Sequence, residues 1–371
     1  AVRNSLLKLC PRDVQGNFVR RLNTLAGLIC GIVSTGSCHL PKVAGKVPDA
    51  ALVASREKRI SRCLKNEAFD TETYFLPFAR MLLASLSHLP LVLVMDGSLV
   101  GRGCVALMVA LVYKKRALPL VWMVSKGKKG HFSEEAHMAL IREVAALIST
   151  DARVVFLGDG EFDGCNLQAL LRQWGWQYVC RTACNVTLRW EGETFQFEDM
   201  AVGMQPGECL DVPNCRFTHK RYGPVLALCW WRKDCKEPIY LVSNMASPED
   251  ACDFYAKRFH IETFFSDEKS RGFNLHKSHL SDPARLGRLM IGACLAYHWI
   301  IYLGCLALQN GWQRFIHRSD RCDLSLFQLG LRVLDYLLGR GRRIPYAFWN
   351  LQRTESAQRV GRHVDAQKSV R

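Results

Sequence analysis

Hydrophobic positions change their period along this chain, and each change marks a new kind of element. From Asp13 to Cys38 apolar residues recur at helical spacing (Phe18, Leu22, Leu25, Leu28, Ile29, Ile32), with Arg20 and Arg21 on another face. Residues 51–65, ALVASREKRISRCLK, read as a second and basic helix. From residue 89 the period is lost in long apolar runs. Segments 89–97 (LPLVLVMDG), 103–113 (GCVALMVALVY) and 118–125 (LPLVWMVS) read as three strands, two of them buried on both faces. A helix follows over 133–149, with Ser133 as its cap and Glu134 and Glu135 at its positive end. Then come a buried strand (153–160), a helix (166–175) and a fifth strand (176–182). Three strands, helix, strand, helix, strand is the order of a ribonuclease-H-like α/β fold.

Residues 183–246 have another texture. Short alternating pieces (NVTLRW, ETFQFEDM, ECLDVP, CRFTH, LALCWW, EPIYLVS) are punctuated by Gly192, Gly203, Pro206–Gly207, Pro213 and Gly223–Pro224, which predicts an all-β insertion. Helices resume at Pro248 and run to about residue 340, and the Arg-rich end beyond reads as a polar segment that frays. The expected organisation is a helical region at 1–85, a mixed-sheet core at 86–182 and 247–310, the β insertion at 183–246, and a basic helical region at 311–371. Residues 289–308, LMIGACLAYHWIIYLGCLAL, carry no formal charge and are long enough to span a bilayer. His298 at their centre, with Gly292 and Gly304 suited to close packing, favours a buried core helix and no membrane.

Composition narrows the function. Lys and Arg number 50 against 34 Asp and Glu, a net +16. Residues 1–90 carry 13 bases against 6 acids, and residues 311–371 carry 12 against 5, so both ends are basic and the middle is nearly balanced. An enzyme for a small neutral substrate has no need of this pattern, whereas a polyanionic partner such as nucleic acid does. The 16 cysteines are spread from Cys10 to Cys322 without a CxxC knuckle and read as reduced cytosolic thiols, with no zinc site.

Candidate chemistry lies at strand ends and on one later helix. Asp96 and Asp159 end the first and fourth strands, which this topology makes neighbours, so both carboxylates emerge at one sheet edge. Hard divalent cations such as Mg²⁺ take oxygen ligands of this kind. Each Asp-Gly pair is also an ordinary turn dipeptide, and Glu161 and Asp163 compete with Asp159. Residues 255–269 read YAKRFHIETFFSDEK. On one continuous helix Tyr255, Arg258, Glu262 and Lys269 fall within roughly 60° of one another.

The pattern Tyr-x2-Arg-x3-Glu-x6-Lys, matched at those four positions, resembles the signature of bacterial insertion-sequence transposases of the DDE type. The order Asp, Asp, β insertion, Glu-bearing helix is similar to that group, as is the stretch 317–338. The resemblance implies a DNA transposase in which Asp96, Asp159 and Glu262 hold two Mg²⁺ ions, with Mn²⁺ able to substitute. The implied reaction is nicking at transposon ends, hairpin formation and opening, and strand transfer into target DNA. Tyr255, Arg258 and Lys269 match positions that grip phosphate. Trp230 or Trp231 matches a tryptophan that holds a base flipped from the hairpin. The implied partners are double-stranded DNA (terminal inverted repeats and target) and a second copy of the chain as a homodimer, in a bacterial cytoplasm at the nucleoid. A metal-dependent nuclease on the same fold, and a DNA-binding relative with a decayed site, are the alternatives.

Overall fold

A computed structural model describes residues 2–9, 15–128, 130, 132–269, 272–318 and 321–347. Most of the Arg-rich end expected to fray, residues 348–371, lies outside the described residues. The chain divides into two compact units. One comprises Ala1–Leu86, Val100–Cys104 and Ser266–Arg371, and the other Ser87–Leu99 and Val105–Phe265.

The first unit is helical. Its N-terminal part holds α1 (Val2–Leu7), α2 (Gly16–Thr35), α3 (Leu40–Lys46), α4 (Val53–Lys65), α5 (Thr71–Tyr74) and α6 (Leu76–Leu86). Gly36 ends α2 in the left-handed conformation (φ 57°), which favours a residue without Cβ, and α3 leaves at 99° to α2. Arg21 donates to the Tyr74 hydroxyl at 2.9 Å and ties α2 to α5.

The second unit is built on strands β1 (Leu91–Gly101), β2 (Cys104–Tyr113), β3 (Arg116–Lys126), β4 (Val154–Gly158) and β5 (Gln177–Arg181), with α7 (Glu134–Ala145) and α8 (Cys165–Gln173) between β3, β4 and β5. Ser133 caps α7 by accepting from the Ala136 N–H. Glu134 in its first turn accepts from the backbone N–H of Asn166 and Leu167, so one carboxylate also satisfies open donors at the start of α8. Then follow β6 (Thr187–Trp190), β7 (Glu193–Gln196), β8 (Cys209–Phe217), β9 (Tyr222–Trp230) and β10 (Ile239–Ser243). All ten strands form one sheet, in the order β3-β2-β1-β4-β5-β10-β9-β8-β6-β7. β1, β4 and β5 run parallel, and the chain has a ribonuclease-H-like core. The insertion is therefore not a separate sheet: β10 pairs antiparallel with β5 and carries the same sheet outward. ECLDVP and CRFTH, which read as two strands, are one bulged strand, β8.

Past the sheet, α9 (Pro248–Tyr255) is capped by Ser247, and α10 (His260–Glu268) starts five residues after α9 ends. The later helices α11 (Pro283–Gln309), α12 (Gln313–Ile316) and α13 (Leu326–Gly339) return to the helical unit. α11 carries the long apolar run, and 94% of its most apolar window is buried, so its surface is covered by protein. His298 packs on Phe78, ring centroids 4.5 Å apart. Gly304 lies directly under the Leu326 carbonyl and Gly330 under that of Ile300, so α11 and α13 approach too closely for any Cβ at either point.

Candidate active site

Two adjacent parallel strands build the first half of the site. Leu91 pairs with Val154, and the register runs in step to Val94 and Leu157. Two residues further along the same register stand Asp96 and Asp159. Asp96 lies within β1 and Asp159 just past the end of β4, so the paired ladder itself stops two residues short of them. Neighbouring strands lie about 4.8 Å apart, and both carboxylates act on one cation, Arg258. The β4–β5 pairing ends at Gly158 and Cys180, the residues just before Asp159 and Arg181.

Asp96 does not end its strand. β1 continues to Gly101, and Asp96 is 2% exposed within it. Apolar residues on both sides of the Asp-Gly pair keep the chain in the sheet where the dipeptide alone suggests a turn. Asp96 accepts from the N–H of Gly97 at 2.7 Å. Asp159 is the first residue after β4, and its carboxylate accepts from the N–H of Glu161 at 3.0 Å.

The competing acids are engaged elsewhere. Asp163 accepts from the Thr182 hydroxyl at 2.6 Å, and burial raises its carboxyl above the ordinary range. Glu161 faces His137 of α7 at 3.7 Å. Asp159 is thus the acid of this loop that acts on the next element.

That element is not the single helix expected over 255–269. α9 ends at Tyr255, residues 256–259 form a turn, and α10 begins at His260. The turn is stitched by bonds three residues apart: Arg258 N–H to Tyr255 O, and Ile261 N–H to Arg258 O. No Gly or Pro announces this break, and tertiary contacts override helix propensity here. Its result is to bury the Arg258 side chain, 7% exposed, while Glu262 stays 56% exposed at the start of α10. The two pair at 3.0 Å.

Arg258 reports what surrounds it. Burial works against its charge. Tyr255, Asp159, Glu262 and Asp96 work for it and prevail, so the guanidinium is held above its ordinary range. All three predicted acids act on this one cation. Tyr255, fully buried, has its hydroxyl pushed up to about 12 by burial, against the fields of Arg258 and Arg181. Arg181 is the residue that reading the sequence missed. Its place at the end of β5, as Asp159 follows β4, is the signal that finds it.

Among the described residues no group of three His, Cys, Asp or Glu is placed to share one ion. Like charges repel, and here Arg258 stands among the carboxylates. Lys269 is half-buried just past α10, in the helical unit. Trp230 ends β9, half-buried, with the Arg232 guanidinium 5.5 Å from its ring centroid. Trp231 donates its indole N–H to the Cys235 carbonyl at 3.2 Å. Trp230 is therefore the ring with a cation beside it, and Trp231 the ring pinned within its own loop.

The sequence family described as transposase DDE domain matches residues 91–299, more than half the chain. The chain belongs to the transposase DDE family. The matched stretch of this transposase begins with β1, ends within α11, and contains all eight predicted site residues. No curated protein matches the transposase. Among solved structures, a piggyBac transposase synaptic complex with hairpin DNA covers 93% of the transposase and 78% of its own chain, at 13% identity and a TM-score of 0.48.

Proposed function

We propose that this DDE transposase cleaves DNA at transposon ends and joins them to target DNA through a hairpin intermediate. What carries the reading is the placement of Asp96, Asp159 and Glu262 around Arg258 within the matched family segment. The donor chemistry fits divalent metal: Asp96 within β1, Asp159 just past β4 and the exposed Glu262 at the start of α10 are hard oxygen ligands. Asp96, Asp159 and Glu262 would hold two Mg²⁺ ions, or Mn²⁺ in their place. When bound, such ions supply Lewis-acid stabilisation and lower the pKa of an attacking water or 3′-hydroxyl.

The chain's own residues do the rest. Arg258 keeps the carboxylates apart from one another's charge and presents a fork of donors suited to phosphate. Tyr255 stays protonated and can donate a hydrogen bond to a phosphate oxygen. Lys269 supplies a compact cation. Trp230 offers a face on which an unstacked base can rest, worth about 1–3 kcal/mol per base.

Duplex binding falls to the basic helical unit. Arg3, Arg20, Arg21, Arg59 and Arg62 line an open cavity there, against the single acid Asp49. Contacts of this kind position a duplex through its phosphates without reading its sequence. Holding two ends together calls for a homodimer on DNA, acting at the nucleoid of a bacterial cytoplasm.

The deciding experiment incubates the full chain with a duplex carrying the element's own ends and Mg²⁺, and sequences the products. Hairpin ends and junctions to a second duplex are expected. Cut ends without junctions would reassign the chain as a nuclease. No cleavage with either Mg²⁺ or Mn²⁺ would reassign it as a DNA-binding relative with a decayed site.

A further inference from the structure

The described cysteines are all free thiols, and only Cys184, Cys209 and Cys322 among them are exposed. One pair is in sulfur–sulfur contact: Cys209 Sγ lies 3.8 Å from Cys252 Sγ, with the exposed thiol at the start of β8 and the buried one inside α9. A disulfide has S–S of about 2.05 Å, so bridging needs the sulfurs to approach by about 1.8 Å, with no side chain in between to displace. Cys209 can supply that movement, because it is the first residue of β8 and follows a turn at Gly207 (φ 110°).

The two thiols are unequal. A hydrogen bond from the Cys252 thiol holds Cys209 below the ordinary range, in spite of partial burial and the nearby Asp211 and Glu249. The same hydrogen bond, with burial, pushes Cys252 up. Of the two, the more solvated Cys209 sulfur loses its proton more readily, and the thiolate is the nucleophile in thiol oxidation. Cys229, on the facing strand, is buried and raised to about 12, first by burial.

We propose that Cys209 and Cys252 form a reversible intrachain disulfide when the protein meets a peroxide. The Cys209 thiolate attacks one peroxide oxygen, breaking the O–O bond and giving a sulfenic acid and hydroxide. The Cys252 sulfur then attacks the sulfenic sulfur, the S–O bond breaks, and water leaves with the Cys252 proton. The peroxide gains two electrons and each sulfur loses one. A dithiol reductant reverses the bond by exchange. The register places Cys209 opposite Trp230, and Cys252 precedes Tyr255 by three residues. The bridge thus fastens the strand beside Trp230 to the helix that leads into the Tyr255–Arg258 turn.

The test treats the reduced full chain with stoichiometric hydrogen peroxide, blocks remaining thiols by alkylation, and digests it without reductant. The expected product is one pair of linked peptides containing Cys209 and Cys252, two hydrogen masses lighter than the separate peptides and released by dithiothreitol. Cys209→Ser loses it completely, with an unchanged circular dichroism spectrum. Cys184→Ser, which removes another exposed thiol, retains it. The proposal is overturned if Cys209 accumulates as sulfinic acid, if both cysteines remain alkylatable, or if the link joins two chains and vanishes on dilution.

Discussion

The two ends of the single sheet are built to different rules. β1, β4 and β5 are buried on both faces, and Asp96 is the acid set within that packing. β8, in the outward extension, is exposed at most positions, whereas β9 is half-buried at its start, buried at its centre and ends at half-buried Trp230. Parallel strands sealed on both faces hold side chains in register to fractions of an ångström, as metal ligands require. A strand as exposed as β8 can adapt to a bulky ligand such as an unstacked base. The difference shows how one sheet can separate chemistry from recognition.

The strongest way to break that division is to neutralise the three predicted acids. Asp96→Asn, Asp159→Asn and Glu262→Gln should each lower cleavage by more than the roughly 10–100-fold that loss of an outer-shell metal partner costs, while duplex affinity in a gel-shift assay stays near that of the parent. Cleavage retained in any one variant removes that residue from the site.

Arg258→Ala comes next. It removes the cation on which Asp96, Asp159 and Glu262 act and should lower stability by about 1.5–3 kcal/mol, the range for a hydrogen bond to a charged group. Denaturant unfolding measures it, and an unchanged midpoint would mean that the Arg258–Glu262 pair is only a surface pair.

The open half should respond step by step. Trp230→Ala is expected to slow hairpin formation by about 5- to 150-fold, as a stacking loss of ~1–3 kcal/mol implies, and to spare the first nick. Trp231→Ala should affect both steps together, because its indole N–H holds its own loop. Hairpinning lost equally in the two variants would sink the assignment to Trp230.

The smallest effect on cleavage is expected from Glu268, in the helical unit. Both of its carboxylate oxygens are buried without a hydrogen-bond partner, and burial raises its pKa to about 8. A carboxyl raised in the folded state binds more protons there than in the unfolded chain. Its contribution to stability is therefore full below pH about 4.5 and is lost as pH rises through about 8. Glu268→Gln should flatten the fall in melting temperature between pH 5 and pH 8, at about those bounds, and leave cleavage unchanged. An equal fall in both proteins would place the titrating group elsewhere.

Much of this frame was legible beforehand. Long apolar runs mark strands sealed on both faces, and their alternation with amphipathic helices orders β1 to β5, because burial pattern is a local property of the chain. The four-residue signature marked Arg258 and Glu262 for the same reason. The break after Tyr255 was not legible, since YAKRFHIETF holds no residue that forbids helix. Nor was the fate of Glu161 and Asp163, whose partners His137 and Thr182 come from other elements.

What the amino-acid order determined by itself was the inventory: basic ends, buried strands, acids beside glycines, and an Arg–Glu pair near the end of the matched segment. Only the folded chain decided the company each side chain keeps. It set Asp96 within β1, Asp159 just past β4 and Arg181 at the end of β5, turned Arg258 inward among the acids, and brought Cys209 against Cys252. Register and close approach arise from the packing of segments far apart in sequence, and no local pattern encodes them.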